Sequence, residues 1–207
     1  FAMKSLNDIQ LIKSARDNGI DVGMLTNATG LTERLSNQIV PLVNGYIQAS
    51  INAGTRDSYA MIHQARPEHW DLVWKNLAMG VKIKKMLGIK ECDLGANMTV
   101  LIEETKDDKG RSVPPNWSEV ELLIQRSKDI GLDYVSFKPY SQHLYSEATA
   151  KRYGKMSYKK IMDEIYETGQ GLLKKYSGNG FEVIFRFSRF EEYEAKDRGY
   201  TTCRATP

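Results

Sequence analysis

Three short stretches alternate polar and apolar residues, and that alternation most constrains what this chain can fold into. In Tyr46–Asn52, the residues Gln48, Ser50 and Asn52 are polar while Ile47, Ala49 and Ile51 are apolar. Tyr134–Lys138 repeats the pattern, with Ser136 and Lys138 set against Val135 and Phe137. Leu94–Leu101 does the same, with Asn97 and Thr99 against Ala96, Met98 and Val100. Successive side chains of a strand point to opposite faces, so each stretch has one apolar and one polar face. Helical patterns lie between the stretches, which predicts a parallel sheet whose apolar face is covered by helices. The polar face then looks into a lumen. A lumen lined by Ser, Asn and Lys is a ligand site rather than a packed core.

The intervening punctuation supports this layout. Ser5–Asp8 has capping-box spacing, and Leu6, Ile9, Ile12 and Ala15 follow on one helical face up to Gly19. Asp21–Leu25 reads as a strand that ends in the polar turn Thr26–Gly30, and 32–43 as a helix ended near Pro41. Thr55 is placed to cap a helix through Gln64. Pro67 opens the next helix, whose stripe is Trp70, Val73, Trp74, Leu77 and Val81, and Gly88 ends it. Ser118–Glu121 is a capping box for a helix stopped by Gly131, and a helix is expected over 157–176. Phe181, Val183, Phe185 and Phe187 then alternate on a last strand, outside the regular order or at its edge. The sum is a helix, four strand–helix units and an extra strand.

In a parallel β/α barrel, ligands bind on the loops at the C-terminal ends of the strands. Thr26, Asn27, Ser50, Asn52, Thr99 and Lys138 stand at such ends, with Asn97 one step deeper. The long connection 103–117, rich in Lys, Asp, Gly and Pro, leaves the same rim and reads as either a lid or a surface excursion.

Composition excludes several classes. A formal charge of +3 does not by itself point to nucleic acid, and the basic stretch 151–160 reads as a solvated helix entrance. No apolar run approaches the roughly 18 residues of a membrane span and no signal-peptide pattern opens the chain, so a cytoplasmic setting is expected. His63, His69 and His143 have no metal-ligand spacing. Cys92 and Cys203 are too few and too far apart for a zinc site or a disulfide scaffold.

Residues 21–140 resemble the later strands of the radical S-adenosylmethionine (SAM) enzymes. The likeness rests on the runs Met24–Gly30 (MLTNATG), Gln48–Tyr59 (QASINAGTRDSY), Asn97–Leu101 (NMTVL) and Gly131–Tyr140 (GLDYVSFKPY), in that order. Tyr200–Cys203 is similar to the entry of the SPASM or twitch extension found after the barrel in many members, with Cys203 a ligand to an auxiliary cluster there. The resemblance implies a partial, open, TIM-like parallel β/α barrel over 1–143, lacking its first two strands, and a helix and strand over 144–207 leading to such an extension. It implies a parent enzyme that reductively cleaves SAM to a 5′-deoxyadenosyl radical for hydrogen abstraction from a small molecule or peptide. A flavodoxin- or ferredoxin-like reductant would supply the electron. The family's Cys-x3-Cys-x2-Cys run, which holds a [4Fe-4S] cluster, is not in this sequence, so the chain alone is expected to bind no cluster and to be inactive.

The resemblance also implies roles. Ser50 and Asn52 would donate to the methionyl carboxylate, and Thr26 and Asn27 would line the ribose or substrate side. Asn97 and Thr99 would face the ribose and adenosyl end, and Lys138 would pair with a carboxylate or phosphate of either ligand. Two other readings stay open: an aldolase-like barrel lyase with Lys138 as a Schiff-base lysine, and a non-enzymatic module that keeps a ligand pocket.

Overall fold

A computed structural model describes residues 6–106, 109–140 and 156–195 of the chain. Its frame is a five-stranded parallel sheet of β1 (Met24–Thr26), β2 (Tyr46–Ser50), β3 (Asp93–Val100), β6 (Tyr134–Pro139) and β7 (Glu182–Phe185). A separate antiparallel hairpin joins β4 (Thr105–Lys106) to β5 (Ser112–Val113). The helices are α1 (Leu6–Asp17), α2 (Glu33–Ile39), α3 (Arg56–His63), α4 (Glu68–Leu87), α5 (Val120–Ile130), α6 (Met162–Tyr176) and α7 (Phe187–Ala195).

The strand order is β1-β2-β3-β6-β7, each strand beside the one before it. Right-handed crossovers that never reverse direction put every connecting helix on one side of the sheet. A doubly wound sheet would reverse its order part-way; this one does not, and so it is an open portion of a TIM-like β/α barrel.

Register assigns the faces. Ile47 pairs with Leu94, Ala49 with Ala96, and Ala96 and Met98 with Val135 and Phe137. All are buried, and Leu94 packs against Gly80 of α4. Trp70 and Trp74 of the same helix meet edge-to-face at 5.4 Å, and the guanidinium of Arg126 from α5 lies 5.1 Å above each ring. Burial of side chains of this size contributes about 1.5–3 kcal/mol each, so this helical face carries most of the stability. At the N-terminal end of the sheet, Asp133 accepts from Lys84 at 2.6 Å and from the Leu94 N–H at 2.7 Å.

Local signals in the sequence hold at most element ends. Thr55 accepts from the Ser58 N–H, and Gly88 and Gly131 end α4 and α5 in the left-handed conformation (φ 65° and 82°). Three details differ. Ser118–Glu121 is not a capping box: Trp117–Glu119 forms a 3-10 turn with no side-chain cap. The Glu119 carboxylate reaches across to α3 instead, accepting from the Gly54 N–H (2.7 Å), Ser58 Oγ (2.6 Å) and Thr55 Oγ1 (3.1 Å). The last strand stops at Phe185, because Phe187 already belongs to α7 and stacks on Tyr166 at 4.7 Å. That strand pairs in parallel with β6 at the edge of the sheet. The 103–117 connection is not a bare loop, since it carries the β4–β5 hairpin, with Val113 buried. Among the described residues, no helix is long and apolar enough to cross a membrane.

Candidate ligand site on the polar sheet face

The face turned away from the helices carries the polar residues of β2, β3 and β6 in one row. Ser50 pairs with Asn97 and Asn97 with Ser136, and one step towards the C-terminal end Thr99 pairs with Lys138. Below that row Gln48 pairs with Gly95. The missing side chain at Gly95 lets the Gln48 amide cross β3 and donate to Ser136 Oγ at 2.9 Å. It also admits the Tyr134 ring, since a Cβ on Gly95 would lie 2.2 Å from Tyr134 Cζ.

The rim is built by two asparagines. Asn52 leaves β2 in the left-handed conformation (φ 57°), and its Oδ1 accepts from the Thr99 N–H at 2.8 Å. Asn97 O accepts from the N–H groups of both Ile51 and Asn52, which turns the chain end of β2 over β3. Asn116, fully buried, ties the turn down. Its Nδ2 donates to Asn52 O (2.8 Å) and Thr99 O (2.9 Å), and its Oδ1 accepts from the Leu101 N–H (2.7 Å). With Asn52 Oδ1 committed to the backbone, its amide N–H groups have no partner among the described residues.

Over this rim lies a cavity of about 230 Å³ lined by Asn52, Ile62, His63, Thr99, Leu101, Lys138 and Tyr140. It is smaller than the roughly 300–1,000 Å³ of a complete small-molecule pocket. Burial pushes the Lys138 ammonium below its ordinary range, and the Arg186 charge adds to the shift. His63 Nε2 bonds Ile51 O at 2.7 Å, and its ring packs on Tyr59 with centroids 4.5 Å apart. Burial holds the His63 imidazole below its usual pKa, so the ring is neutral at pH 7 and Nε2–H is the donor.

Asn97 is distinct among these groups. Its side chain is only 4% exposed, yet its Oδ1 has no hydrogen-bond partner. A buried acceptor left unpaired costs about 1–3 kcal/mol, so such a group marks a place where a donor is expected.

Of the residues singled out in the sequence, Asn52, Thr99 and Lys138 line the cavity, and Ser50 and Asn97 share their face. Thr26 and Asn27 do not join them. Thr26 pairs with Ala49, on the helix-covered side, and its Oγ1 accepts from the Ala28 N–H. Asn27 is spent on its own turn, accepting from the Thr29 N–H and Oγ1. A three-residue strand has too little alternation to show its parity. Sequence reasoning missed Asn116, His63 and Arg186. Only His63 left a signal, standing one helical turn after Tyr59 on the helix that follows β2.

Cys92 is fully buried just before β3, at the opposite end of the sheet from the cavity, and burial pushes its thiol up to about 12. No group of three or more His, Cys, Asp or Glu side chains is arranged to hold a metal among the described residues. A [4Fe-4S] cluster needs three neighbouring thiolates, so the donors described do not fit one. Cys203 and His143 lie outside the described residues.

No family model and no curated protein matches the chain. Solved structures do. SuiB from Streptococcus suis, including the form bound to S-adenosylmethionine, superposes with a TM-score of 0.61 at 13% identity over 87% of this chain and 36% of SuiB. SuiB bound to the precursor peptide SuiA gives 0.60 at 12% identity, over 96% of this chain and 39% of SuiB. TYW1 with a lysine–pyruvate adduct gives 0.52 at 17% identity, over 81% of this chain and 45% of TYW1. The chain thus spans less than half the length of each. At these identities the likeness establishes the shared fold, a partial β/α barrel.

Proposed function

We propose that this chain is the later part of the barrel of a radical SAM enzyme and that its polar sheet face holds SAM beside a substrate. SuiB, which shares this fold, is solved with S-adenosylmethionine bound, and that supports the class. The observation that carries the reading is Asn97: a buried, unpaired acceptor at the centre of a face that is polar across β2, β3 and β6. Residues 1–143, with the edge strand β7, form the barrel portion in this reading, and the rest of 144–207 leads to a SPASM- or twitch-type extension.

Ser50 Oγ and the free amide N–H groups of Asn52 donate to the methionyl carboxylate, while Asn97 and Thr99 meet the ribose and adenosyl end. Asn97 Oδ1 accepts from a hydroxyl there, which satisfies the orphaned carbonyl. Bound SAM supplies hydrogen-abstracting chemistry only where an iron–sulfur cluster reduces it, and the described donors do not provide that cluster. The chain's own part is positioning. Asn116 fixes the rim, Gln48 and Ser136 tie strands across Gly95, and the helices behind the sheet keep the face rigid. SuiB's complex with SuiA supports a peptide as the substrate class, and the reading calls for a flavodoxin- or ferredoxin-like reductant of the complete enzyme.

Isothermal titration of the chain with SAM tests this. Saturable binding that Ser50→Ala weakens about tenfold is expected, because a hydrogen bond to a charged group is worth about 1.5–3 kcal/mol. Equal affinity in both proteins overturns the assignment of Ser50.

A second reading, a lyase with Lys138 as a Schiff-base amine, is favoured by one observation: the Lys138 ammonium is half-buried, unpaired with an acid among the described residues, and held low. Cyanoborohydride trapping with pyruvate, followed by peptide mapping, tests for a Schiff-base lysine. Because TYW1 also carries a lysine–pyruvate adduct, modification confined to Lys138 supports the lyase only if the chain binds no SAM.

A further inference from the structure

Lys138 and Arg186 stand side by side, with no acid paired to either among the described residues. The Arg186 N–H donates to Phe137 O at 3.0 Å, which continues the β6–β7 ladder one step past the Phe137–Phe185 pair and sets Arg186 beside Lys138. Phe185 faces the helices, so the next residue faces the polar side. The Arg186 charge adds to the lowering of the Lys138 ammonium, in keeping with that side of the sheet. Neither cation makes a salt bridge or side-chain hydrogen bond among the described residues. Other cations do find acids: Arg16 with Glu91, Arg56 with Asp71, Lys84 with Asp133, Lys175 with Glu121. Lys138 lines the cavity and Arg186 is exposed beside it; two adjacent like charges repel each other, and an anion between them reverses the sign of that interaction.

The strand count separates this pair from Ser50, while Thr99 pairs with Lys138 and Asn52 lines the same cavity. Neighbouring strands lie about 4.8 Å apart, so Lys138 is roughly 10 Å and Arg186 roughly 14 Å across the sheet from Ser50. One carboxylate cannot meet Ser50 and Arg186 together.

We propose that Lys138 and Arg186 form an oxyanion subsite for the substrate, separate from the SAM carboxylate, and that it takes the side-chain carboxylate of an acidic peptide residue. The proposal rests on the polar face being the ligand face. Arg186 offers a two-pronged planar donor and Lys138 a single point charge, a combination that fits a carboxylate in bidentate contact with one and monodentate contact with the other.

The test uses the full chain and four probes followed by NMR titration: Ac-Gly-Glu-Gly-amide, its glutamine counterpart, inorganic phosphate and SAM. The glutamate peptide is expected to bind about tenfold tighter than the glutamine peptide, and Lys138→Gln and Arg186→Gln each to bring the two within about twofold. Equal binding of the two peptides to the unaltered chain overturns the subsite. Phosphate binding tighter than the glutamate peptide overturns the carboxylate and points to a phosphate ester. SAM affinity is expected to stay within about twofold in Arg186→Gln, and a tenfold loss there would assign the pair to SAM and overturn the substrate role. If SAM does not bind at all but the glutamate preference persists, the radical SAM reading fails while the anion subsite stands.

Discussion

Replacing Asn116 with alanine removes the side chain that closes the rim of the candidate site. Three bonds go at once: Nδ2 to Asn52 O, Nδ2 to Thr99 O, and the Leu101 N–H to Oδ1. Two carbonyls and one N–H then stand in a place where Asn116 itself has no exposed surface. Each unsatisfied buried group costs about 1–3 kcal/mol, and partial relaxation of the turn after β2 brings the expected loss to about 3–4 kcal/mol. Taking a urea m-value of about 2 kcal/mol/M, the midpoint should fall by roughly 1.5–2 M. Urea unfolding followed by far-UV circular dichroism measures it. Asn37→Ala is the control, since Asn37 is exposed and makes one bond, to Glu33 O, and its change should stay within about 0.5 kcal/mol. A midpoint shift for Asn116→Ala under about 0.5 M would show that the rim does not depend on this residue.

Other substitutions and conditions have definite outcomes. Gly54→Ala would put a Cβ 2.6 Å from the Glu119 carbonyl oxygen, a backbone contact that cannot yield cheaply, so a loss of about 1–3 kcal/mol is expected in the same assay. His63 has a folded pKa below its unfolded value, so the unfolded chain binds more protons near and below pH 6.5 and stability falls as pH drops through that range. Comparing unfolding at pH 7.5 and 5.5 should show that loss, and His63→Gln should reduce it; an unchanged slope in the variant contradicts the assignment. The Cys92 thiol, buried and pushed up to about 12, should resist iodoacetamide at pH 8 and react once urea unfolds the chain, as read by peptide mapping. Anaerobic reconstitution should leave far fewer than four irons per chain; a stoichiometry near four would refute the ligand count.

The parts of this fold that were legible in the sequence are those governed by short periods and by caps. Alternation in β2, β3 and β6 is long enough to assign parity, and so Ser50, Asn52, Asn97, Thr99 and Lys138 fall on one face. Thr55, Gly88 and Gly131 end helices through chemistry local to the residue itself. What was not legible depends on register between distant segments. Thr26 is turned to the helix side by its pairing with Ala49, and Arg186 is carried to Lys138 by the β6–β7 ladder. Ser118–Glu121 has capping spacing, but the close approach of Gly54 gives the Glu119 carboxylate a better set of donors on α3. Asn116 stands in a polar run and shows its importance only once the ends of β2 and β3 are brought beside it.

The central claim is that the polar sheet face, and not the helix-covered one, is where the ligand binds. Titrating the isotope-labelled chain with SAM to about 5 mM, while following the side-chain amide of Asn97 and the backbone amides around it, measures this directly and detects dissociation constants near 1 mM, about 4 kcal/mol of binding. The expected result is a saturating shift of the Asn97 side-chain amide together with Ser50, Asn52 and Thr99, with Trp70, Trp74 and Leu77 unmoved. Shifts confined to the helical layer, or none across the polar face at that concentration, would contradict it.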